Sequence, residues 1–342
     1  MSVRDVLIVG AGPSGLATAI AAKQQGLDHV LVEKGMLVNS IFNFPTYMVF
    51  FTTPELLEVG GLPLVTPYDK PTRLEALRYY RRVVDTYGLQ VSFHERVVGI
   101  DRADEEAAFA VTTQDERGTR RVRHARAVVL ATGYYDDPNY LRVPGEDLPH
   151  VSHYYTDAHP YYRQRVVIVG GKNSAAEAAL ELFRAGAHVT LVHRRAALGD
   201  SIKYWVRPDI ENRIKEGAIA ARFETAVVEI RRGAVVVEPV VPAGGSLHAS
   251  GPEEIPAEAV FLLTGYKPDV DLMRRAGIRV DAETLAPELD SETFETNVPN
   301  LFIAGGASAG RNTGNIFIEN GRFHGERIIR VLAARLREGG SL

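Results

Sequence analysis

The 342-residue chain contains no cysteine. That absence excludes structural disulfides, cysteine-based metal sites and any redox-active protein dithiol. No apolar run reaches the roughly 18 residues that a membrane span requires, and the apolar N-terminus is soon interrupted by glycines. The net charge is only −4, with both signs spread along the chain. There is therefore neither a basic footprint for nucleic acid nor an acidic tail. Small-molecule partners in a soluble cytoplasmic protein are the expectation left, and a length of 342 residues with 45% apolar content suffices for two domains with separate cores.

What is present begins at Val6–Glu33. The apolar run Val6–Val9 breaks into Gly10-Ala11-Gly12-Pro13-Ser14-Gly15, an Ala-rich helical stretch runs to Gln25, and a second apolar run, Val30–Val32, ends on Glu33 and Lys34. Strand, tight turn, helix and strand follow in that order. Gly10 allows the turn, Gly12 lets backbone approach a pyrophosphate, and Gly15 lets the helix pack on the strand, so phosphates meet amides at the positive end of the helix. Glu33 is spaced to accept from a ribose 2′-hydroxyl. The alternative is a Gly-rich structural turn. Asn39–Thr53 is aromatic and hydroxyl-rich without a helical or alternating period. It reads as a buried irregular loop or as the flat apolar faces and hydroxyls of a flavin site, with Ser40, Ile41, Thr46 and Phe51 as the contacts and FAD as the cofactor.

Lys70–Tyr87 is a helix with Pro71 near its start and an Arg cluster on a solvated face. Val91–Ile100, which contains the candidate FAD contact Val97, and Ala108–Thr113 alternate as strands of an antiparallel meander. Ala127–Gly133 is a buried strand whose small end, Ala131-Thr132-Gly133, lets the chain pass close to a cofactor; Asp136-Asp137-Pro138 follows as a linker. A second strand–turn–helix–strand starts at Arg165. Its turn is Gly170-Gly171-Lys172-Asn173-Ser174-Ala175, in which Lys172 replaces the middle glycine and Ala175 the last. Glu177 lies on the following helix. The next strand ends on His193-Arg194-Arg195, and guanidinium forks suit a 2′-phosphate, hence NADPH; the alternative is a pair of solvated arginines.

Ser201–Arg213 carries Trp205, the only tryptophan, with Pro208 at a helix start and no assignable chemistry. Strands follow at Ala226–Ile230 and Ala234–Val241, and Val260–Gly265 echoes Ala127–Gly133, marking the return crossing. Asn300–Gly306 is a strand meeting the turn Gly305-Gly306. Asn315–Gly321, with Ile316 and Phe317, opens the last helix, which either aims its N-terminus at the flavin pyrimidine edge or simply closes the domain. The whole reads as an α/β chain of two Rossmann-like dinucleotide-binding domains, the NADPH domain inserted into the FAD domain, with boundaries at 1–138, 139–267 and 268–342.

Two fingerprints, the second between two Thr-Gly strands, resemble the two-dinucleotide-binding-domain flavoproteins in their thioredoxin-reductase-like branch, over nearly the whole chain. Counting back from Gly170 without gaps, the Cys-x-x-Cys-Asp segment of that branch falls on His153-Tyr154-Tyr155-Thr156-Asp157. That phrase, Gly170–Ala175, Lys203-Tyr204-Trp205-Val206-Arg207-Pro208-Asp209 and Ile318-Glu319-Asn320-Gly321-Arg322-Phe323-His324-Gly325 together resemble the bacillithiol disulfide reductase family. The resemblance implies FAD, NADPH, a low-molecular-weight disulfide substrate, namely bacillithiol disulfide, no protein dithiol, and a homodimer or larger homo-oligomer. His153 or Asp157 would then protonate the leaving thiolate; each also reads as structural, a satisfied histidine and a loop cap. Lys172 and Arg73 could hold substrate carboxylates or stay solvated.

Two departures from the resemblance matter. Several relatives carry one cysteine where this chain has Ser14. The Gly-Asp pair with which thioredoxin reductases hold the ribityl chain is here Gly305-Gly306. Two other readings stand beside the disulfide reductase: a ferredoxin or flavodoxin reductase of the same branch, and a non-catalytic flavin redox sensor. A flavin monooxygenase is disfavoured, because its Phe-x-Gly-x-x-x-His signature is missing around Pro149–Tyr155.

Overall fold

The computed structural model describes residues 3–103, 109–240 and 251–337. In chain order the elements are β1 (Arg4–Val9), α1 (Pro13–Gln24), β2 (His29–Val32), α2 (Asn39–Phe42), α3 (Arg73–Tyr87), β3 (Val91–Ser92), β4 (Glu95–Arg102), β5 (Phe109–Asp115) and β6 (Arg120–Leu130). Then come β7 (Val151–Ser152), β8 (Arg165–Val169), α4 (Asn173–Arg184), β9 (His188–Val192), α5 (Arg207–Lys215), β10 (Ala220–Arg222), β11 (Thr225–Arg231), β12 (Ala234–Pro239), β13 (Glu253–Pro256) and β14 (Ala259–Leu262). The chain closes with α6 (Val270–Arg275), β15 (Leu301–Ile303), α7 (Ile318–Gly321) and α8 (His324–Arg337). No helix among the described residues is long and apolar enough to cross a membrane.

Contacts divide the chain into two compact units. One holds the residues up to Asn43, Tyr47–Asp137 and Tyr266 onward; the other holds Phe44–Thr46 and Pro138–Gly265. The sequence reading placed the boundaries at 138/139 and 267/268. It kept Thr46 with the flavin segment, whereas the Thr46 amide donates to the Thr156 carbonyl at 2.8 Å within the second unit.

In the first unit the strand order is β3-β2-β1-β6-β5-β4, with β15 also paired to β6. β1, β2, β3, β15 and the end of β6 run parallel, and Val128 sits between Leu7 and Leu301. These strands are covered on both faces, which is why Leu7, Ile8, Val128 and Val129 form unbroken apolar runs rather than alternating ones. Ala127–Leu130 is therefore the end of a longer strand, whose earlier part, Arg120–Ala125, pairs antiparallel with β5, and Ala131–Gly133 follow it. The single strand read at Val91–Ile100 is two strands, because His94 takes a left-handed φ of 55° between them. Ala108, read at the start of the next strand, lies outside the described residues.

α1 is buried along nearly its whole length, with Leu16 and Ile20 contributing about 1.5–3 kcal/mol each. Its small residues admit α8: a Cβ on Gly325 would stand 2.5 Å from the Thr18 Cα. α3 begins at Arg73, after a capping box in which the Thr72 side chain and Glu75 satisfy each other's amides. The helix read as opening at Asn315 is two helices, α7 and α8, separated at Arg322-Phe323. Nη1 of Arg322, between them, donates to the carbonyls of Glu55 (2.7 Å) and Glu58 (2.6 Å).

In the second unit a parallel sheet runs β10-β9-β8-β14-β7, with α4 between β8 and β9; β11, β12 and β13 form a separate antiparallel sheet. β12 ends at Pro239, and Val241 lies outside the described residues.

Candidate cofactor and active site

Gly10 ends β1 with a φ of +106°, and a Cβ there would stand 2.5 Å from the Ala131 carbonyl oxygen at the end of β6. A Cβ on Gly15 would collide with the Gly10 carbonyl, whereas one on Gly12 would meet nothing within 4 Å. Two glycines thus close the turn and the third borders open space. In front of that space α1 starts with Pro13 and no side-chain cap, so its first amides are available to an anion. Glu33, 6% exposed at the end of β2, accepts from the amides of Ala11 (2.8 Å) and Gly35 (2.9 Å). Burial holds its carboxyl above the usual range despite those amides. Sequence spacing assigns Glu33 to a ribose; in the structure its bond to Ala11 braces the glycine turn. Lys34 pairs with Asp136 at 2.9 Å.

Apart from Thr46, the flavin-side candidates lie in the same unit. Ser40 and Ile41 are on α2, and Ile41 is 2% exposed. Arg73 is partly buried rather than simply solvated: its guanidinium donates to the carbonyls of Ile41 and Phe42. Phe51 meets Phe317 edge to face at 5.5 Å, next to Ile316. Val97 is buried among core residues beside the β4 bulge. Thr132 and Gly133 follow β6, and the Gly305-Gly306 turn follows β15.

Ser14 lies against that turn, since a Cβ on Gly305 would run into its hydroxyl. Sequence reasoning missed two neighbours. The Gly305 amide donates to Nδ1 of buried His324 at 3.2 Å, and a Cβ on Gly306 would stand 2.7 Å from the Tyr134 ring. Tyr134 directly follows Ala131-Thr132-Gly133, but only its packing singles it out.

In the second unit Gly170 repeats the role of Gly10, backing onto the Leu263 carbonyl at the end of β14, where a Cβ would stand 2.6 Å from the oxygen. Gly171 packs on the His193 ring, whose Nε2 is buried without a hydrogen-bond partner among the described residues. Burial, with Arg195 and Arg194 nearby, lowers the pKa of His193. Lys172 is exposed ahead of α4, and Ser174 and Ala175 lie in its first turn. Asn173 holds the next loop, its Nδ2 donating to the Ser201 carbonyl (2.8 Å) and its Oδ1 accepting from the Lys203 amide (2.9 Å). Lys203 in turn pairs with Glu177 at 2.6 Å and lies 5.8 Å from the Trp205 ring centre. The Arg194 and Arg195 side chains are exposed after β9 and make no ion pair among the described residues. Gly265 follows β14, and its carbonyl accepts from the Asn139 amide at 2.9 Å.

His153 and Asp157 belong to this second unit as well. His153 lies 3.4 Å from Glu146 Oε1 with the Tyr140 ring edge-on at 4.8 Å. Burial lowers its pKa and Glu146 opposes the shift. Glu146 also accepts from the Leu141 (2.7 Å) and Arg142 (2.6 Å) amides, so its carboxylate is fixed. Oδ1 of Asp157 accepts from the His159 amide at 2.9 Å, just ahead of the short 3₁₀ turn His159–Tyr161.

Two glycine turns, each opening before an uncapped helix N-terminus, one braced by a carboxylate and the other followed by free guanidinium groups, define a two-dinucleotide flavoprotein oxidoreductase. The chain belongs to the pyridine nucleotide-disulphide oxidoreductases, whose family model matches residues 7–305, and within them to the bacillithiol disulfide reductases. It is 42% identical to the bacilliredoxin reductase Bdr of Bacillus subtilis, covering 98% of this chain and 99% of the relative. The bacillithiol disulfide reductase Bdr (YpdA) of Bacillus cereus superposes with a TM-score of 0.92 at 41% identity, over 98% of this chain and 100% of that one. Its Staphylococcus aureus counterpart gives 0.89 at 38%, over 98% and 99%. The protein is an FAD- and NADPH-dependent flavoprotein disulfide reductase.

Proposed function

We propose that the protein reduces a low-molecular-weight disulfide, bacillithiol disulfide, to two thiols at the expense of NADPH and one proton. The observation that carries this is a cysteine-free chain 42% identical, along 98% of its length, to a bacilliredoxin reductase and similarly close to two bacillithiol disulfide reductases of known structure. When bound, NADPH supplies hydride and FAD relays the electron pair. In this reading Gly10, Gly12, Pro13, Ser14, Gly15 and Glu33 hold the FAD pyrophosphate and adenosine, Val97 is a further FAD contact, and Ser40, Ile41, Phe51, Ala131–Gly133, Gly305, Gly306, Ile316 and Phe317 surround its flavin half. Gly170–Ala175 hold the NADPH pyrophosphate, and Arg194 and Arg195 its 2′-phosphate.

The thiolate released on cleavage takes its proton from His153, which Glu146 orients, or from Asp157. The expected assembly is a homodimer or larger homo-oligomer, which light scattering checks. The decisive experiment reduces the enzyme anaerobically with one equivalent of NADPH and mixes it with bacillithiol disulfide in a stopped-flow instrument. Rapid flavin reoxidation with release of two thiols, unaffected by prior treatment of the enzyme with an alkylating agent, is the expected result. A reduced flavin that ignores the disulfide but is quickly reoxidised by ferredoxin would replace this reading with that of a ferredoxin reductase.

A further inference from the structure

The strand order places the cofactor's parts. Glu33 ends β2, the glycine turn ends β1, and β6 and then β15 lie on the far side of β1. A dinucleotide with its adenosine ribose at Glu33 and its pyrophosphate before α1 therefore carries its remaining chain over the ends of β6 and β15. In FAD that chain is the ribityl. At those two strand ends sit Tyr134, four residues beyond Leu130 of β6, and Gly305-Gly306, just beyond Ile303 of β15. The Tyr134 ring fills the volume above Gly306, where a Cβ would stand 2.7 Å from both Cδ1 and Cε1. Any side chain at 306 would have to displace the ring. The residue is partly buried, yet its hydroxyl makes no hydrogen bond among the described residues.

We propose that Tyr134 is an FAD-binding residue, its ring seated on Gly306 and its hydroxyl bonded to the ribityl chain. A phenol hydroxyl that no protein group engages is open to a ligand, and the ribityl chain offers hydroxyls that both donate and accept. Burial and the nearby Glu319 carboxylate keep the phenol in its neutral, donating form. The inference rests on FAD use and on the first unit, and it is independent of the final electron acceptor.

The test measures ligand binding to full-length apoprotein. Tyr134→Phe keeps the ring and removes the hydroxyl; it is expected to weaken FAD about 2- to 13-fold, the range for one hydrogen bond, and to leave ADP, which lacks the ribityl, unchanged. Gly306→Ala should weaken FAD at least as much by pushing the ring aside, and should add nothing in a Tyr134→Ala background, where the ring is gone. FAD affinity unchanged in Tyr134→Phe, or FAD and ADP weakened equally, overturns the assignment. Additive effects of Gly306→Ala and Tyr134→Ala would equally overturn it.

Discussion

Nδ1 of His324, at the start of α8, accepts the amide hydrogen of Gly305, at the end of β15, over 3.2 Å, while the imidazole stacks on Phe294 with ring centres 3.9 Å apart. An acceptor at Nδ1 requires a neutral ring with its proton on Nε2. Burial and Arg327 lower its pKa to about 4. The unfolded histidine binds its proton near pH 6.5 and the folded one only near 4, so this contribution is complete above 6.5 and is lost as pH falls between those values. Roughly 3 kcal/mol is at stake. His324→Gln, whose amide oxygen can still accept from Gly305, should show a flatter decline of urea stability between pH 6.5 and 4 than the unmodified protein. Parallel curves would assign that decline to other groups.

The protein should purify yellow with FAD, because the turn braced by Glu33 is built for the adenosine pyrophosphate half that FMN lacks. Glu33→Ala leaves the buried Ala11 amide unpaired, costing about 1–3 kcal/mol, and removes a second acceptor from the half-buried Gly35 amide. Much of the variant should emerge as colourless apoprotein. Heat-released cofactor that migrates as FMN would refute the assignment.

Preference for NADPH over NADH should reside in Arg194 and Arg195. Hydrogen bonds to charged groups contribute about 1.5–3 kcal/mol, roughly 10- to 150-fold apiece before solvent screening reduces them at these exposed positions. The Arg194→Ala, Arg195→Ala double variant should lose most of the preference while keeping its kcat/KM for NADH. Equal use of both nucleotides by the unmodified protein would contradict the reading.

His153→Ala or Asp157→Asn should slow flavin reoxidation by the disulfide about 10²–10⁴-fold if that residue donates the proton, with flavin reduction by NADPH nearly unchanged. Glu146→Gln should shift the pH profile of the same step through its effect on His153. Single-turnover rates for the two half-reactions separate these effects from changes in nucleotide binding.

Gly325→Ala places a methyl group 2.5 Å from the Thr18 backbone, where α8 crosses α1. Overpacking of this kind costs about 1–3 kcal/mol. The urea midpoint of the FAD-loaded protein should fall with little change in slope, and a neutral outcome would mean that the crossing gives way.

Both glycine turns and the helices behind them were legible in the sequence, because such a unit is local: the strand, the turn and the helix N-terminus lie within about 30 residues. The missing dithiol was equally plain, since a chain without cysteine cannot hide one. Other features depended on packing between distant segments. The brace from Glu33 to Ala11, the seat of Tyr134 on Gly306 and the neutral His324 under Gly305 join residues 22, 172 and 19 positions apart. Phe44–Thr46 likewise sorts with the second unit through a backbone bond to Thr156. No periodicity or motif announces such pairs. A side chain's protonation, and the room a glycine must leave for a neighbouring ring, are set by what the sheet order and helix crossings bring against it, and that is decided only when the chain is folded.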